Sequence, residues 1–279
     1  MTTTTLKLIA LVLMTIDHVG EFIPEMPSFL RYIGRLSAVI FFFCCVEGYT
    51  HTSNKKRYVM RLYVCGQIMT ALDLLLPMAV HHSTNLSWTN YIQNNVFLEI
   101  FGMMALLYFW EHSKGKKRII GTIVFFLYQA IMPEVLASTI LRFPDQGDEL
   151  IAVKSLLGLF FERGLFVDCT IILFYLTRND KKKMAIAYTC WIGLYIFNNV
   201  LCVPALLNPL IRPIGIEFFK RGTIWERAFQ SDFQWMMIFS LPLLLMYNGK
   251  RGKGLKWLFY IYYPVHIAVL YLLGQMLTV

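Results

Sequence analysis

Asp17 and His18 stand side by side in the middle of an apolar run, Leu6 to Ile23, that otherwise reads as a membrane-spanning helix. Keeping an ionisable pair at that depth costs several kcal/mol unless partners or water compensate, so such residues mark functional sites. A second histidine, His266, lies at similar depth in the last apolar run, just after Tyr262, Tyr263 and Pro264. An imidazole, with an ordinary pKa of about 6.5, can deprotonate an amine or hydroxyl near neutral pH or carry an acyl group itself. Two imidazoles near the bilayer midplane therefore point to chemistry inside a membrane.

Depth along each run, at about 1.5 Å per residue, decides which polar groups can meet. Asp17 and His18 lie roughly 17 Å above the start of the first run, and His266 roughly 17 Å above the start of the last. Glu99 reaches about 12 Å down the fourth run from the opposite side, and Arg35 about 8 Å down the second. These depths let His18, Asp17, His266, Glu99 and Arg35 share one cavity. Neighbouring helical residues point about 100° apart, so Asp17 is poorly placed to orient His18 and is expected to pair with Arg35 or His266. Glu47, Tyr49, His51 and Thr52 precede the Lys55–Arg57 cluster, with Arg61 following; this basic mouth suits an anionic, phosphate-bearing ligand. Plainer readings stand beside these. A lone membrane histidine can simply bond a neighbouring helix, Glu47 can be a solvated helix end, and Arg57 and Arg61 can be topology anchors. Asn94, Asn95, Asn198 and Asn199 read as interhelical glue.

The elements that must position these groups follow from composition. The chain has 279 residues, 57% hydrophobic and 15% charged, with a mean hydropathy of +0.55. Soluble domains run at about 45–50% apolar and about 25% charged, so the fold class expected is all-α, a polytopic transmembrane helical bundle. A span needs about 20 mostly apolar residues. Nine runs qualify, near 6–23, 30–50, 58–80, 91–111, 117–139, 156–177, 183–203, 230–247 and 255–277, in a single domain over 1–279. The sixth is interrupted by Glu162, Arg163 and Asp168, with Lys154 just before it.

Cations sort against these spans. Lys55, Lys56, Arg57 and Arg61 follow the second run; Lys114, Lys116, Lys117 and Arg118 the fourth; Arg178, Lys181, Lys182 and Lys183 the sixth; Lys250, Arg251, Lys253 and Lys256 the eighth. Those sixteen of the 26 lysines and arginines share one side, which the positive-inside rule makes cytoplasmic. The expected location is thus a cell membrane, with the N-terminus cytoplasmic and the C-terminus outside. Topology accounts for the net charge of +9 without a nucleic-acid partner. The stretch 204–229, with Pro204, Pro209 and Pro213 and then Ile216, Phe218, Phe219 and Trp225, is expected at the outer interface or as a lid over an outward cavity. The first run, holding Asp17 and His18, is read as a retained helix rather than a cleaved signal peptide. The six cysteines, irregularly spaced in apolar runs, read as small buried hydrophobes, and the scattered histidines form no close metal-ligand set.

Several blocks resemble one family. LKLIALVLMTIDHVG (6–20), LRYIGRLSAVIFFFCCVEGYTHT (30–52) and KKRYVMRL (55–62) resemble the opening of the TraX family. YNGKRGKGLKWLFYIYYPVH (247–266) resembles its close. TraX is associated with N-terminal acetylation of conjugative pilin, and its relatives look like distant members of the transmembrane acyltransferases fed by cytoplasmic acetyl-CoA. The resemblance implies His18 as catalytic histidine, with Asp17, Arg35, Glu47, Arg61 and His266 as further site positions. Ser37-Ala38-Val39 stands where many relatives have a proline after the GRL motif, which loosens the kink expected in the second helix.

The function expected is therefore an integral membrane O- or N-acetyltransferase. It would move an acetyl group from acetyl-CoA to a peptide amine, glycan or lipid-linked saccharide at or across the lipid bilayer. Arg35 or protonated His266 would stabilise the acetyl oxyanion, and Glu47, His51, Arg57 and Arg61 would line the donor's mouth. Two other classes stay open. A proton-coupled transporter would also use intramembrane Asp, Glu and His, although no internal repeat is evident. A non-catalytic assembly factor would tolerate alanine at 17, 18 and 266.

Overall fold

A computed structural model of the chain describes residues 1–80, 92, 94–135, 165–203, 208, 222–231 and 233–278. All described secondary structure is helical. In chain order the helices are α1 (Thr3–Phe22), α2 (Phe29–Thr50), α3 (Lys55–Val80), α4 (Val96–His112), α5 (Gly115–Val135), α6 (Leu165–Asp168), α7 (Thr170–Thr177), α8 (Lys181–Tyr195), α9 (Ile224–Glu226), α10 (Leu241–Leu245) and α11 (Lys256–Thr278). A π-turn, Ile196–Val200, extends α8; another, Arg227–Ser231, follows α9; and a 3₁₀ stretch, Gln234–Ser240, leads into α10.

Three helices among the described residues are long and apolar enough to cross a membrane: Phe29–Thr50, Lys55–Val80 and Trp257–Leu277. Of the other expected spans, 6–23, 91–111 and 117–139 correspond to α1, α4 and α5, which fall outside that set, and three differ for local reasons. The run 230–247 forms a shorter apolar helix, Gln234–Leu245, which winds as 3₁₀ up to Ser240 and as α from Leu241, with Pro242 in the first α turn. The run 183–203 loosens into the Ile196–Val200 π-turn. The run 156–177 contributes α6 and α7, and its residues 156–164 lie outside the described residues, as do Lys154, Glu162 and Arg163. Most of 204–221, with Ile216, Phe218 and Phe219, also lies outside them.

The chain divides into two compact units, each described by itself. The first comprises Met1–Cys44, Leu173–Gly254 and Leu277–Val279; the second comprises Cys45–Ile172 and Leu255–Met276.

In the first unit, α1 is capped by Thr2, whose hydroxyl accepts from the Thr5 N–H. The α1–α2 turn runs through Pro24, Glu25 at φ 61° and Pro27, too short to permit anything but a near neighbour. Close contact follows from glycine: a Cβ on Gly20 would stand 2.9 Å from Leu30 Cβ. The core gathers rings, with Phe43 edge-on to Phe174 at 5.6 Å and to Tyr247 at 5.3 Å. Tyr188 is fully buried and donates to Met237 O at 2.7 Å.

In the second unit, α4 is apolar on nearly every face and is the buried centre, as such a helix must be. Its start is delayed from 91 to Val96 because Asn95 caps it, Oδ1 accepting from the Leu98 N–H at 3.3 Å. Asn95 Nδ2 also donates to Gly66 O and Thr70 Oγ1, both at 2.9 Å, joining α3 to α4 as the glue reading expected. Asn198 and Asn199 instead bond locally within their π-turn. Cys44 and Cys202 are buried as expected of small hydrophobes, whereas Cys190 is exposed.

Candidate functional site

Asp17 and His18 are both buried, at 4% and 2% exposure. What makes this possible for Asp17 is the sequence Arg31-Tyr32-Ile33-Gly34-Arg35 on α2. Arg31 and Arg35 are one helical turn apart and so share a face. Arg35 Nη2 donates to Asp17 Oδ1 at 2.9 Å and Oδ2 at 2.7 Å, and Arg31 Nη1 stands 3.1 Å from Oδ1. Arg31 also donates to the Asp17 main-chain oxygen at 3.2 Å and pairs with Glu21. Two carboxylates and two guanidiniums therefore form a locally neutral cluster, the arrangement that makes buried charge tolerable.

Gly34 is the residue between the two arginines that admits the carboxylate. A Cβ there would overlap the Asp17 side chain, so only glycine lets α1 lie this close. Arg35 is held from the other side too. Its Nε donates to Arg31 O at 3.2 Å, and its guanidinium stacks over the Phe233 ring at 5.2 Å. Phe233 and Phe229 pack on Tyr32, whose hydroxyl donates to Phe229 O. The segment after α9 thus walls the ion cluster with aromatic rings, and Trp225 stands exposed beside Phe229 at 4.3 Å.

Asp17 pairs with Arg35, one of the two partners expected, the other being His266. Arg35 is therefore engaged with a carboxylate, which competes with the oxyanion role expected of it. Asp17 faces α2, and His18, one step around α1, is directed elsewhere; its ring lies 6.0 Å from Phe22, one turn on. Arg31, Glu21 and Gly34 were not anticipated. The one-turn spacing of Arg31 from Arg35 was the signal available for the first.

His266 belongs to the second unit. Its Nδ1 lies 2.8 Å from Tyr262 O, and a carbonyl only accepts, so Nδ1 carries the proton. In the neutral ring Nε2 then bears the lone pair. The ring stacks on Tyr262 at 5.0 Å and meets Tyr263 at 5.6 Å. Tyr263 donates to Asn94 O at 2.9 Å, which fixes α11 beside the start of α4. Glu99 and Asp73 are fully buried in the same unit.

The expected donor mouth is also in the second unit. Glu47 is half-buried; His51 is exposed, its Nδ1 2.8 Å from Glu47 O and 3.9 Å from Glu47 Oε2. Arg57 is exposed, and its N–H is capped by Asn54 Oδ1 at 2.8 Å. Arg61 lies over the Tyr58 ring at 5.9 Å. Lys55 is folded onto Glu111 at 2.7 and 2.8 Å, and Tyr49 donates to the same carboxylate at 2.9 Å. This mouth is less basic than its lysine count implies, because Glu111 returns to it from the far end of α4.

No solved structure matches the chain. Among curated proteins, the chain is 26% identical over 275 residues to "Probable fimbrial assembly protein FimC, serogroup H1" of Dichelobacter nodosus, covering 95% of this chain and 92% of that protein. The family model described as TraX protein matches residues 2–140 and 170–274, which takes in α1 with Asp17 and His18, the paired arginines of α2 and His266 on α11. Matched over most of its length, the chain belongs to the TraX family.

Proposed function

We propose that this protein is an integral membrane acyltransferase that moves an acetyl group from cytoplasmic acetyl-CoA to an amine or hydroxyl acceptor. The observation that carries the reading is the buried His18 beside a carboxylate locked by two arginines, in a chain of the TraX family. In this reading all nine apolar runs lie in the membrane, with the N-terminus cytoplasmic and the C-terminus outside.

The chemistry assigns each side chain a task. His18 removes a proton from the acceptor, or takes the acetyl group and passes it on. Asp17, Arg31 and Arg35 fix the α1 backbone and so the direction of the imidazole. The family resemblance counts His266 among the site positions; with Nδ1–H committed to Tyr262 O, Nε2 is its basic nitrogen. Glu47, His51, Arg57 and Arg61 contribute to the cytoplasmic approach of the donor. The fimbrial-assembly description of the Dichelobacter relative favours an acceptor in a surface-filament pathway, such as a peptide amine, with glycan and lipid-linked saccharide as the other acceptor classes.

Membrane-purified protein incubated with labelled acetyl-CoA and envelope extract tests this. Label transfer and release of free thiol support it. A proton-coupled transporter, the reading favoured by buried Asp73 and Glu99, would instead show substrate-dependent proton flux without any acyl donor.

A further inference from the structure

The loop at the foot of α1 is basic and tied down along its backbone. Residues 248–254 read Asn-Gly-Lys-Arg-Gly-Lys-Gly, and no Asp or Glu occurs between Phe233 and Val279. The loop's backbone is braced by the start of the chain. The Asn248 N–H donates to Met1 O at 2.9 Å, the Thr3 N–H to Lys250 O at 2.9 Å, and the Thr4 N–H to Arg251 O at 3.1 Å. The Thr4 hydroxyl adds bonds to Arg251 O at 2.9 Å and Lys253 O at 2.6 Å.

Gly249 and Gly252 take φ of 75° and 77°, where L side chains are strained, and a Cβ on Gly252 would stand 2.6 Å from Thr2 Oγ1. Lys181 closes the other flank, donating to Tyr247 O and to Leu245 O at 3.2 Å. Carbonyls are thus consumed by the brace, while the Lys250, Arg251 and Lys253 side chains stand exposed. Lys55 shares Glu111, and Lys183 lies 3.8 Å from Asp180. The three loop cations have no acidic neighbour in their own segment.

We propose that Lys250, Arg251 and Lys253 form the subsite for the diphosphate of a coenzyme A donor. This rests on the acyltransferase reading and adds where the donor is held. Distance supports it. Thr4 and His18 are fourteen residues apart on one helix, roughly 21 Å. An extended phosphopantetheine arm, about 13 bonds from phosphorus to sulfur, spans roughly 16 Å. Phosphates at the level of Thr4 therefore bring the thioester to within roughly 5 Å of the depth of His18. A preformed loop recognises the diphosphate without the ordering cost that a flexible lysine cluster would incur.

The test is coenzyme A binding by calorimetry to the full chain in nanodiscs of neutral phosphatidylcholine. Wild type is compared with K250Q/R251Q/K253Q, with Thr4→Val and with Lys117→Gln, an exposed lysine of another basic cluster, each checked by thermal unfolding. The triple variant is expected to bind about 30-fold more weakly. Thr4→Val, which keeps every charge and loosens the brace, is expected to bind several-fold more weakly. Lys117→Gln is expected to bind as wild type. Unchanged affinity in a folded triple variant overturns the subsite and leaves the acyltransferase reading standing; no binding by wild type overturns both. A second set of discs containing phosphatidylglycerol separates the lipid source. If the triple variant loses association with that lipid while keeping coenzyme A affinity, the loop reads headgroups and the subsite is overturned.

Discussion

Arg35 donates through one nitrogen, Nη2, to both carboxylate oxygens of Asp17, at 2.9 and 2.7 Å. The two side chains are 10% and 6% exposed, so this pair is held away from water. Removing Arg35 leaves the buried Asp17 carboxylate to Arg31, which Glu21 shares. Arg35→Gln is expected to destabilise the protein by about 2–3 kcal/mol, less than the loss of a sole partner would cost. Asp17→Asn with Arg35→Gln should cost clearly less than the sum of the single changes, because neither charge is left alone. Thermal unfolding of the four proteins in one detergent measures the coupling, and additive losses would show that the pair does not interact.

Gly34 is expected to be intolerant of any side chain. Gly34→Ala must push Asp17 away or separate α1 from α2, since the added methyl overlaps the carboxylate. Gly193→Ala is the control, because nothing lies within 4 Å of a Cβ there and alanine favours the helix by roughly 0.5–1 kcal/mol. The first should lower the melting temperature and the second leave or raise it.

At the C-terminal end of α2, Tyr49 is fully buried and donates to Glu111, which Lys55 also grips. Tyr49→Phe is expected to cost about 1 kcal/mol. Lys55→Gln should cost less than about 1 kcal/mol, and that cost should shrink with added salt, because Lys55 is 31% exposed. Chemical denaturation at low and high ionic strength distinguishes the two.

Glu226 gives a pH prediction. Its carboxylate accepts from the Thr223 N–H at 2.6 Å, closing a capping box, and this bond holds its pKa below the ordinary carboxylate value, helped by Arg227. A folded pKa below the unfolded one means that the contribution is present above the unfolded value and lost as pH falls through the folded one. Amide exchange at Thr223–Arg227, corrected for intrinsic rates, should therefore show weaker protection at pH 3 than at pH 6. Glu226→Gln should remove that dependence, and an identical pH response in the variant contradicts the assignment.

How far the sequence reached depends on the kind of residue. The Asp17–Arg35 contact was legible because depth is set by helical rise and because a buried carboxylate demands a cation. Gly34 was not, since the need for a missing Cβ appears only when two backbones approach. Glu111 escaped notice because it returns to the Lys55 end only through the α3–α4 hairpin, 56 residues on. The helical class followed from composition. The regular α winding of individual runs did not, because the 3₁₀ turns of Gln234–Ser240 and the π-turn at Ile196–Val200 fall in stretches whose apolarity is uniform. The braced loop at 248–254 read as a topology signal, since its partners are the threonines at the other end of the chain.

The most direct measurement is acetyl transfer from labelled acetyl-CoA by the purified protein with envelope extract, comparing wild type with His18→Ala. The account predicts labelled product and free thiol from wild type, and no transfer above background from a His18→Ala protein that inserts and melts normally. Turnover by His18→Ala at the wild-type rate would contradict it.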